Sequence, residues 1–434
     1  MPLRLSTRAA DFEHRFASLL AMKREVSEEV NDVVRAIGQD VAARGDAAVI
    51  EYTAKFDKLA LTPSTLRVTD GQIETAVAAC DPRTLEALTL AADRIRAYHE
   101  RQKPKDDRFV DALGVELGYR WTAIEAVGLY VPGGTAAYPS SVLMNAIPAK
   151  VAGCPRVVMV VPAPGGTLNP LVLAAARLAG VDEIYRIGGA QAVFALAYGT
   201  QTIRPVAKIM GPGNAYVAAA KRQVFGTVGI DMIAGPSEVL IIADGSANPD
   251  WVAADLLAQA EHDTAAQSLL ITDDAGLADA VEAAVARQLT TLPRAGIAAA
   301  SWNDFGAIIE VAAIAEAVPL ADRLAAEHLE IITADPEALA GRIRNAGAIF
   351  LGGHTPEAIG DYVGGSNHVL PTARSARFSS GLGVLDFMKR TSLLRCGPEQ
   401  LRALGPAAIA LGEAEGLAAH ARSVAIRMNP GSAD

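Results

Sequence analysis

The sequence lacks the features that mark several classes of protein. Only 3 cysteines occur in 434 residues, far apart and in no CxxC pair, a pattern typical of reduced thiols in a cytoplasmic chain. No stretch approaches the ~20 uninterrupted apolar residues of a membrane span. Basic residues are in the minority, with 39 Lys and Arg against 49 Asp and Glu. The net charge of −10 argues against nucleic acid or an anionic membrane as the main partner.

The N-terminus lacks the apolar core of a signal peptide. Residues 1–20 have an amphipathic pattern that includes acids, which predicts a first helix rather than a targeting segment. Apolar residues are abundant over the whole chain, at 51%, and the length predicts two or three hydrophobic cores.

The order of predicted elements indicates the fold class. Helical spacing dominates the first hundred residues, and a β-like stretch follows from Leu113 to Gly134. Strands and helices then alternate to about residue 235, and a second round begins with EVLIIAD at Glu238. Such alternation predicts parallel sheets covered on both faces. We predict an α/β protein with two tandem Rossmann-like parallel-sheet domains and helical N-terminal and C-terminal extensions, with no strand after Met388.

The tripeptide AEH occurs twice. In the first copy, AQAEHD, Gln259 and His262 are three residues apart and share one face of a predicted helix. An amide oxygen and an imidazole nitrogen so placed could form half of a metal site. A hydrogen-bonded polar pair at a helix end explains the spacing equally well, and Glu261 is then an ordinary helix-face acid.

The second copy, AAEHLEI, has no Gln, His or Asp three or four residues before its histidine. Glu327 and His328 are adjacent, so they would approach a substrate from different angles, which suits two separate proton transfers. Arg323 lies four residues before Glu327, and a surface ion pair is the alternative role for that acid. The local pattern does not decide between these roles.

Several glycine-rich loops carry polar side chains. GPGNAY, AGPSEV and VGLYVPGGTAAYPSS are turns that could bring backbone amides to a ligand or serve as plain connectors. None is the dinucleotide fingerprint G-x-G-x-x-G, and GLGVLD has the wrong spacing. Asp361 and His368 lie among glycines, and Glu415 and His420 lie five residues apart on one predicted helix. The remaining histidines are interpreted as ordinary surface or interfacial residues: His14, His99 and His354.

Taken together, these stretches resemble the histidinol dehydrogenase family. The similarity is carried, in the family's order and from about residue 27 to the end, by YVPGG, GGAQA, GPGNAYV, DMIAGPSE, AQAEHD, AAEHLEI, DYVGGSNHVLPT, SSGLGVLDFMKR and EGLAAHA. The resemblance implies a cytoplasmic enzyme that oxidises L-histidinol to L-histidine, the last step of histidine biosynthesis. It would use two NAD molecules in succession at one site, through the aldehyde, with one zinc ion per subunit.

The resemblance also implies roles for individual residues. Glu327 and His328 would be the catalytic acid/base groups. The zinc ligands would be Gln259, His262, Asp361 and His420. The NAD contacts would be Tyr130, Gln191 and Asn214. The substrate contacts would be Ser237, His328, Glu415, His368 and the four zinc ligands. The two copies of AEH would then differ, since only the first histidine binds metal and only the second pair is catalytic.

The domain division follows partly from the resemblance. We predict an N-terminal helical extension over residues 1–24 and a discontinuous α/β domain over residues 25–120 plus 236–380. An NAD-binding α/β domain would span residues 121–235. The helical tail over residues 381–434 is too short for its own core, and the resemblance implies that a homodimer exchanges it to form composite active sites.

Three other functions are compatible with parts of the sequence. A paralogue with the same scaffold could oxidise another alcohol, such as a polyol or sulfonated diol. A zinc-dependent hydrolase could use two His, an Asp and a nearby Glu to activate water. A non-catalytic binding module would require every polar loop to be a mere connector. Ser237 and Glu415, which the resemblance assigns to substrate contacts, favour histidinol over other alcohols. A measurement of NADH formation would distinguish a dehydrogenase from a hydrolase.

Overall fold

The computed structural model describes residues 1–22, 28–133, 138–232 and 235–428. Its strands, in chain order, are β1 (Leu3–Ser6), β2 (Asp107–Val110), β3 (Glu116–Ala123), β4 (Ala126–Tyr130), β5 (Arg156–Val160), β6 (Glu183–Tyr185), β7 (Lys208–Met210), β8 (Gly229–Ile230), β9 (Glu238–Ala243), β10 (Gln267–Thr272), β11 (Ala307–Glu310), β12 (His328–Ile332), β13 (Ala348–Leu351) and β14 (Met388–Arg395). Parts of the YVPGG and DMIAGPSE loops lie outside the described residues.

The α-helices connect and cover these strands. In chain order they are α1 (Phe12–Leu20), α2 (Glu28–Arg44), α3 (Asp46–Phe56), α4 (Asp70–Ala78), α5 (Pro82–Glu100), α6 (Pro139–Ala152), α7 (Pro170–Ala179), α8 (Gly189–Tyr198), α9 (Ala215–Val224), α10 (Pro249–Ala260), α11 (Ala275–Leu289), α12 (Ala295–Phe305), α13 (Ala317–Leu324), α14 (Pro336–Ala340), α15 (Glu357–Tyr362), α16 (Pro398–Ala414) and α17 (Ala418–Met428). Within the described ranges, no helix is long and apolar enough to cross a membrane.

Two parallel sheets form the body of the molecule. The five-stranded sheet has the order β6-β5-β4-β7-β8, and the six-stranded sheet has the order β1-β11-β10-β9-β12-β13. Apart from β1, both sheets place their strands in the same relative order, with the first strand of each unit at the centre. This is the doubly wound arrangement, and it confirms the predicted α/β class with two Rossmann-like units.

The central strands are apolar because helices cover both faces of each sheet. β9 reads EVLIIA, and all its residues are buried. Its side chains alternate between two cores, with Leu240 and Ile242 on the face toward α1 and α13 and Val239 and Ile241 on the face toward α10 and α11. Parallel strands need such helical crossovers, and the alternating sequence rhythm reflects them.

The early helices pack on the five-stranded sheet. α2 packs against α8 and α9, and α4 packs against α7. Their apolar side chains, such as Val34 and Ile37, join the core that contains Phe194 and Val158. The predicted division grouped residues 25–120 with residues 236–380. The helices of residues 28–100 pack apolar side chains on the five-stranded sheet, and the domain division itself stays a prediction.

The N-terminal extension contains a strand that the helical prediction missed. Leu3 to Ser6 pair in parallel with Ala307 to Glu310, and Leu5 is buried. The helix α1 begins at Phe12 and lies within residues 1–20, which were predicted to be helical. A four-residue strand at a sheet edge has too few residues for its alternation to stand out from an amphipathic helical pattern.

The C-terminal segment also differs from the prediction. β14 begins at Met388 and pairs antiparallel with β3 in a three-stranded sheet of order β14-β3-β2. The tail is therefore not wholly helical. α16 and α17 pack on each other, and several large apolar side chains of this segment are exposed: Leu394, Leu404, Leu411, Leu417 and Ile426.

Candidate active site

The residues predicted to contact NAD lie at the carboxyl edge of the five-stranded sheet. Tyr130 is the last residue of β4, Gln191 lies in the first turn of α8, and Asn214 is the N-cap of α9. All three follow strand ends near the point where the connections from β4 and β7 diverge to opposite sides of the sheet. Open parallel sheets commonly bind nucleotides at this switch point.

Close backbone packing shapes this edge. Gly211 follows β7 with φ +104°, and a Cβ there would collide with the carbonyl oxygen of Tyr130. The Gly189 N–H donates a 3.0 Å hydrogen bond to the Tyr130 hydroxyl. Burial raises the pKa of Tyr130 to about 12, so the phenol stays neutral. The side-chain carbonyl oxygen of Gln191, Oε1, is buried and accepts no hydrogen bond from the part of the chain that the structure describes.

A buried ion pair fixes the loop before Asn214. The Lys221 ammonium donates to the Gly211 carbonyl at 2.9 Å and pairs with Asp231, whose Oδ2 accepts the Gly211 N–H at 2.7 Å. The Asn214 side chain itself is engaged as a helix cap, accepting from the N–H groups of Tyr216 and Val217 at 3.1 Å each.

The predicted catalytic pair lies at the amino edge of the six-stranded sheet. Glu327 immediately precedes β12, and His328 is its first residue. Ser237 immediately precedes the neighbouring β9 and therefore lies at the same edge.

His328 is buried among carboxylates. Its Nδ1 lies 3.1 Å from the Glu238 carbonyl oxygen, which can only accept a hydrogen bond. Nδ1 therefore carries the proton in the neutral ring, and the buried Nε2 is then the basic nitrogen, with no hydrogen-bond partner among the described residues. Asp361 Oδ1 lies 3.7 Å from Nε2. Burial lowers the pKa of His328, but Glu357, Glu327 and Asp361 outweigh it and raise this pKa to about 10.

Glu327 is held by the backbone of the neighbouring strand. The Glu238 N–H donates to its Oε2 at 3.0 Å, and His328 Nδ1 lies 3.8 Å from the same oxygen. Burial raises the pKa of Glu327 to about 7, because few charges offset its desolvation. A carboxyl group in that range can exchange protons at neutral pH.

Three of the four predicted zinc ligands lie in the same region. α10 ends at Ala260, and a turn continues it, with the His262 N–H donating to the Gln259 carbonyl at 3.2 Å. α10 packs against α15, which carries Asp361. Burial lowers the pKa of His262, while the Asp361 charge raises it. An amide, an imidazole and a carboxylate thus lie on adjoining segments, and these donor types suit zinc.

The donors from one chain do not complete a metal centre. Across the described ranges, no group of three or more His, Cys, Asp or Glu side chains is arranged to hold a metal ion. Glu415 and His420 are exposed in the C-terminal helical pair. Glu415 is the C-cap of α16, Gly416 has φ +73°, and His420 lies in the first turn of α17. The prediction of one helix over both residues is wrong, because this glycine ends the first helix.

His368 connects the two sheets. Its Nδ1 lies 3.0 Å from the Asp361 carbonyl oxygen, and its Nε2 lies 3.4 Å from the hydroxyl of Ser141. Ser141 is in the first turn of α6, which begins after β4 at the carboxyl edge of the five-stranded sheet. The carboxyl edge of one sheet therefore meets the amino edge of the other, and one site can draw side chains from both.

Three acids near this site were not predicted. Asp255, Glu330 and Glu357 lie on α10, β12 and α15. Each shares an element with a predicted site residue. Asp255 lies four residues before Gln259, and Glu330 lies two residues after His328. Glu357 lies four residues before Asp361. These spacings put each acid on the same face as its site residue. That pattern is visible in the sequence, but only the packing brings the three faces together.

Another correction concerns His99, which is wholly buried rather than at a surface. Its Nδ1 lies 2.7 Å from the Ile95 carbonyl oxygen and its Nε2 lies 3.3 Å from the Asn367 amide nitrogen. Asn367 also donates to the Met144 carbonyl at 2.7 Å. This network anchors the residue next to His368. His14 and His354 are exposed, as predicted.

Comparison with known proteins identifies consistent relatives. A family model described as histidinol dehydrogenase matches residues 20–428. Proteins named histidinol dehydrogenase from Rhodopseudomonas palustris and Nitrobacter winogradskyi are 74% and 75% identical over 429 residues, covering 99% of this chain and 100% of each relative. A crystal structure of histidinol dehydrogenase from Elizabethkingia anophelis has a TM-score of 0.94 and 36% identity and covers 98% of both chains.

Proposed function

The chain belongs to the histidinol dehydrogenase family, and we propose that it oxidises L-histidinol to L-histidine in two successive NAD-dependent steps at a single zinc-containing site. One observation carries the proposal: the Glu327–His328 pair and the Gln259–His262–Asp361 donors share one edge of the six-stranded sheet. His368 and Ser141 join that edge to the predicted NAD edge of the other sheet.

The zinc site would be held by Gln259, His262 and Asp361 together with His420. A set with one carboxylate among four ligands keeps net positive charge, which suits neutral nitrogen donors from the substrate. When bound, zinc would supply an orienting centre for the imidazole and amino nitrogens of histidinol. Ser237, Glu415 and His368 would add substrate contacts around it.

The NAD site is proposed at Tyr130, Gln191 and Asn214. Gln191 Oε1 supports it, because this buried carbonyl oxygen has no donor among the described residues, which is costly, and a ligand amide or hydroxyl would satisfy it. NAD would accept the hydride in each oxidation. The N-termini of α8 and α9 at this edge also suit the negative charge of a pyrophosphate.

His328 is proposed as the general base in both oxidations. The Glu238 carbonyl holds Nδ1, so Nε2 of the neutral ring is the nitrogen that would take the alcohol proton. A zinc ion held by Asp361 would favour the neutral ring, because its charge would offset the carboxylates that raise the pKa of His328. Nε2 also lies on the side of the ring that faces Asp361, where the substrate would be held. A positioned base of this kind commonly contributes ~10²–10⁴-fold to the rate.

Glu327 is proposed to activate the water that converts the aldehyde to its hydrate. Its second oxygen is free of the backbone hydrogen bond that holds Oε2. The pKa of about 7 lets this carboxylate accept a proton from water and release it within one turnover. The hydrate proton would then pass to His328 during the second oxidation.

We further propose a homodimer in which the C-terminal tail of each subunit completes the site of the other. The exposed positions of Glu415 and His420 and the exposed apolar side chains of the tail support this arrangement. The proposed cytoplasmic location is supported by the free cysteines, Cys80, Cys154 and Cys396.

A subunit-mixing experiment tests the exchange. His420→Asn and Glu327→Gln proteins, dissociated and reassociated together, should regain activity, because both defects collect in one site of the mixed dimer and leave the other intact. About half of random pairs would be mixed. A mixture shown to contain heterodimers but no activity would place both residues in one subunit's site.

The central test counts NADH formed per histidinol consumed. Two per substrate supports the four-electron reaction, whereas one indicates release of the aldehyde. NADH formation on a polyol or sulfonated diol, but not on histidinol, would favour the paralogous activity. No NADH from any alcohol would overturn the proposal.

A further inference from the structure

Helix α3 carries a carboxyl group at each end, and the two groups have opposite surroundings. Asp46, in the first turn, accepts hydrogen bonds from the N–H and the hydroxyl group of Thr202. Asp57 is the C-cap residue, where the helix dipole disfavours a negative charge. Its Oδ2 is buried and accepts no hydrogen bond from the part of the chain that the structure describes. A polar group kept at such a cost to stability is typical of a binding site.

Backbone contacts place Asp57 at the carboxyl edge of the five-stranded sheet. The Gly165 N–H, in the loop after β5, donates to the Asp57 carbonyl at 2.9 Å. β5 is the neighbour of β4, whose last residue is the proposed NAD contact Tyr130. Burial raises the pKa of Tyr130, and the charge of Asp57 raises it further, which is consistent with two nearby side chains. Asp57 therefore lies beside the proposed NAD site.

The two faces of this sheet decide which half of NAD would meet Asp57. α6 covers one face, and its Ser141 leads to His368 and the proposed catalytic residues. α3 and α8 cover the opposite face, where Val49 and Phe194 share one core. The nicotinamide would lie toward the catalytic residues to accept hydride. The adenosine half of the cofactor would then extend over the edge toward α3.

The chemistry of a carboxylate favours a ribose as its partner here. A carboxylate only accepts hydrogen bonds, and the 2′- and 3′-hydroxyls of a ribose are two adjacent donors that match its two oxygens. Rossmann-type NAD sites use an acid ~20 residues beyond the glycine-rich turn for this contact. In this chain the corresponding stretch, residues 156–166, reads RVVMVVPAPGG and contains no acid. Asp57 is held against the end of that stretch by the Gly165 hydrogen bond.

Resting on the proposed function, we propose that Asp57 binds the 2′- and 3′-hydroxyls of the adenosine ribose and makes the site selective for NAD over NADP. The ribose hydroxyls would supply the donors that Asp57 Oδ2 lacks among the described residues. The 2′-phosphate of NADP would replace one donor by a negatively charged group, which the carboxylate would repel. Asp57 would act on affinity and selectivity, with no part in hydride transfer.

Binding measurements on the whole protein test this role without turnover. In calorimetric titration with NAD alone, Asp57→Ala should show a Kd ~10–100-fold higher than the wild type, because hydrogen bonds to a charged acceptor are lost. NADP should bind the wild type more weakly than NAD, and Asp57→Ala should narrow this difference by about tenfold. A wild-type Kd for NAD in Asp57→Ala would overturn the proposal.

Thermal stability separates a binding role from a structural one. Removing an unpaired carboxylate from a helix C-terminus should leave the Tm of the NAD-free protein unchanged or raised. Asp46→Ala is the matched control on the same helix. It removes hydrogen-bonded contacts from a favourable helix N-terminus, so it should lower the Tm and leave the Kd for NAD unchanged. A lower Tm with an unchanged Kd in Asp57→Ala would assign Asp57 a structural role instead.

A NAD analogue with a 2′-deoxyadenosine half makes the test specific to the ribose. The wild type should bind it about tenfold more weakly than NAD, whereas Asp57→Ala should bind both equally, whatever its stability. An equal loss of affinity in both proteins would overturn the contact. If the wild type binds NAD but forms no NADH from histidinol, the proposed function fails, and these binding ratios still decide the role of Asp57. If the wild type binds no NAD, both proposals fail.

Discussion

Apart from the edge strand β1, the two parallel sheets have the same strand order, but they present their predicted site residues at opposite edges. The five-stranded sheet places Tyr130, Gln191 and Asn214 at its carboxyl edge, whereas the six-stranded sheet places Glu327 and His328 at its amino edge. Topology alone therefore does not decide which edge becomes functional. The edge of the neighbouring sheet also matters. Here the carboxyl edge of the five-stranded sheet meets the amino edge of the six-stranded sheet.

Helix ends give a physical reason for this division. Helix N-termini converge at the carboxyl edge of a parallel sheet and favour negative charge, while helix C-termini converge at the amino edge and favour cations. α8 and α9 begin beside the proposed NAD contacts, and α10 ends beside Gln259 and His262. A pyrophosphate and a metal ion would each meet the favourable end of nearby helices.

The amino edges of the two sheets differ as well. At the five-stranded sheet, Glu183 begins β6 and pairs with Arg156 at 2.7 Å and Arg204 at 3.2 Å. Hydrogen bonds from Arg156 outweigh burial and lower the pKa of Glu183 to about 2. At the six-stranded sheet, Glu327 has no arginine partner among its described contacts, and burial raises its pKa to about 7. An arginine partner therefore makes a glutamate at such an edge part of a structural ion pair.

The largest expected effect comes from the proposed zinc ligands at the amino edge of the six-stranded sheet. His262→Asn should lose zinc and activity together, with partial recovery in excess zinc, because it removes one of few ligands. The fold should persist, since the cores lie on both faces of the sheets. Metal analysis and activity are measured on the same sample. Full zinc content with lost activity would show that His262 is not a ligand.

Glu327→Gln should separate the two half-reactions at the same edge. Only the second oxidation needs activated water, so added aldehyde should be oxidised ~10²–10⁴-fold more slowly while the first hydride transfer is less affected. Glu310→Gln is a matched control at the opposite edge of the sheet, where Glu310 pairs with Arg4 at 3.1 Å. Equal losses in both half-reactions would exclude water activation by Glu327.

Gln191→Ala should affect only the carboxyl edge of the five-stranded sheet. Loss of one hydrogen bond of ~1 kcal/mol predicts a several-fold increase in the KM for NAD, with unchanged zinc content. Gln223→Ala removes a comparable amide on α9, which donates to the Asn31 carbonyl at 3.0 Å, and should leave this KM unchanged. An unchanged KM in both variants would remove Gln191 from the NAD site.

The smallest expected effect is on the free energy of unfolding, through Glu183 at the amino edge of the five-stranded sheet. Because the folded pKa of Glu183 lies below its unfolded value of ~4.3, its stabilisation is complete above that pH and declines toward pH 2. Glu183→Gln should therefore destabilise the protein by roughly 2 kcal/mol at pH 7 and by less at pH 3. Urea unfolding at both pH values measures the difference. The same destabilisation at both pH values would contradict an ionic role.

Local pattern was sufficient for most elements of the two sheets. Continuous apolar runs such as EVLIIA and amphipathic helical spacing reflect which faces are buried, so these segments and the α/β class could be predicted. The prediction failed where pairing is decided by distant partners. β1 is stabilised by β11, and β14 by β3, through backbone hydrogen bonds that leave little trace in the sequence of either short segment.

The predicted site residues came from motif resemblance, and their roles remain predictions. Spacing alone could relate Gln259 to His262 and Glu327 to His328, because the residues of each pair are close in the sequence. It could not relate His328 to Asp361 or His368 to Ser141, which lie on different elements and meet only through packing. The protonation behaviour of Glu330 and Glu357 was also hidden, since a carboxyl group titrates according to its surroundings rather than its position in the sequence. Periodicity records burial along one element, whereas edges, partners and electrostatics arise only when the elements are brought together.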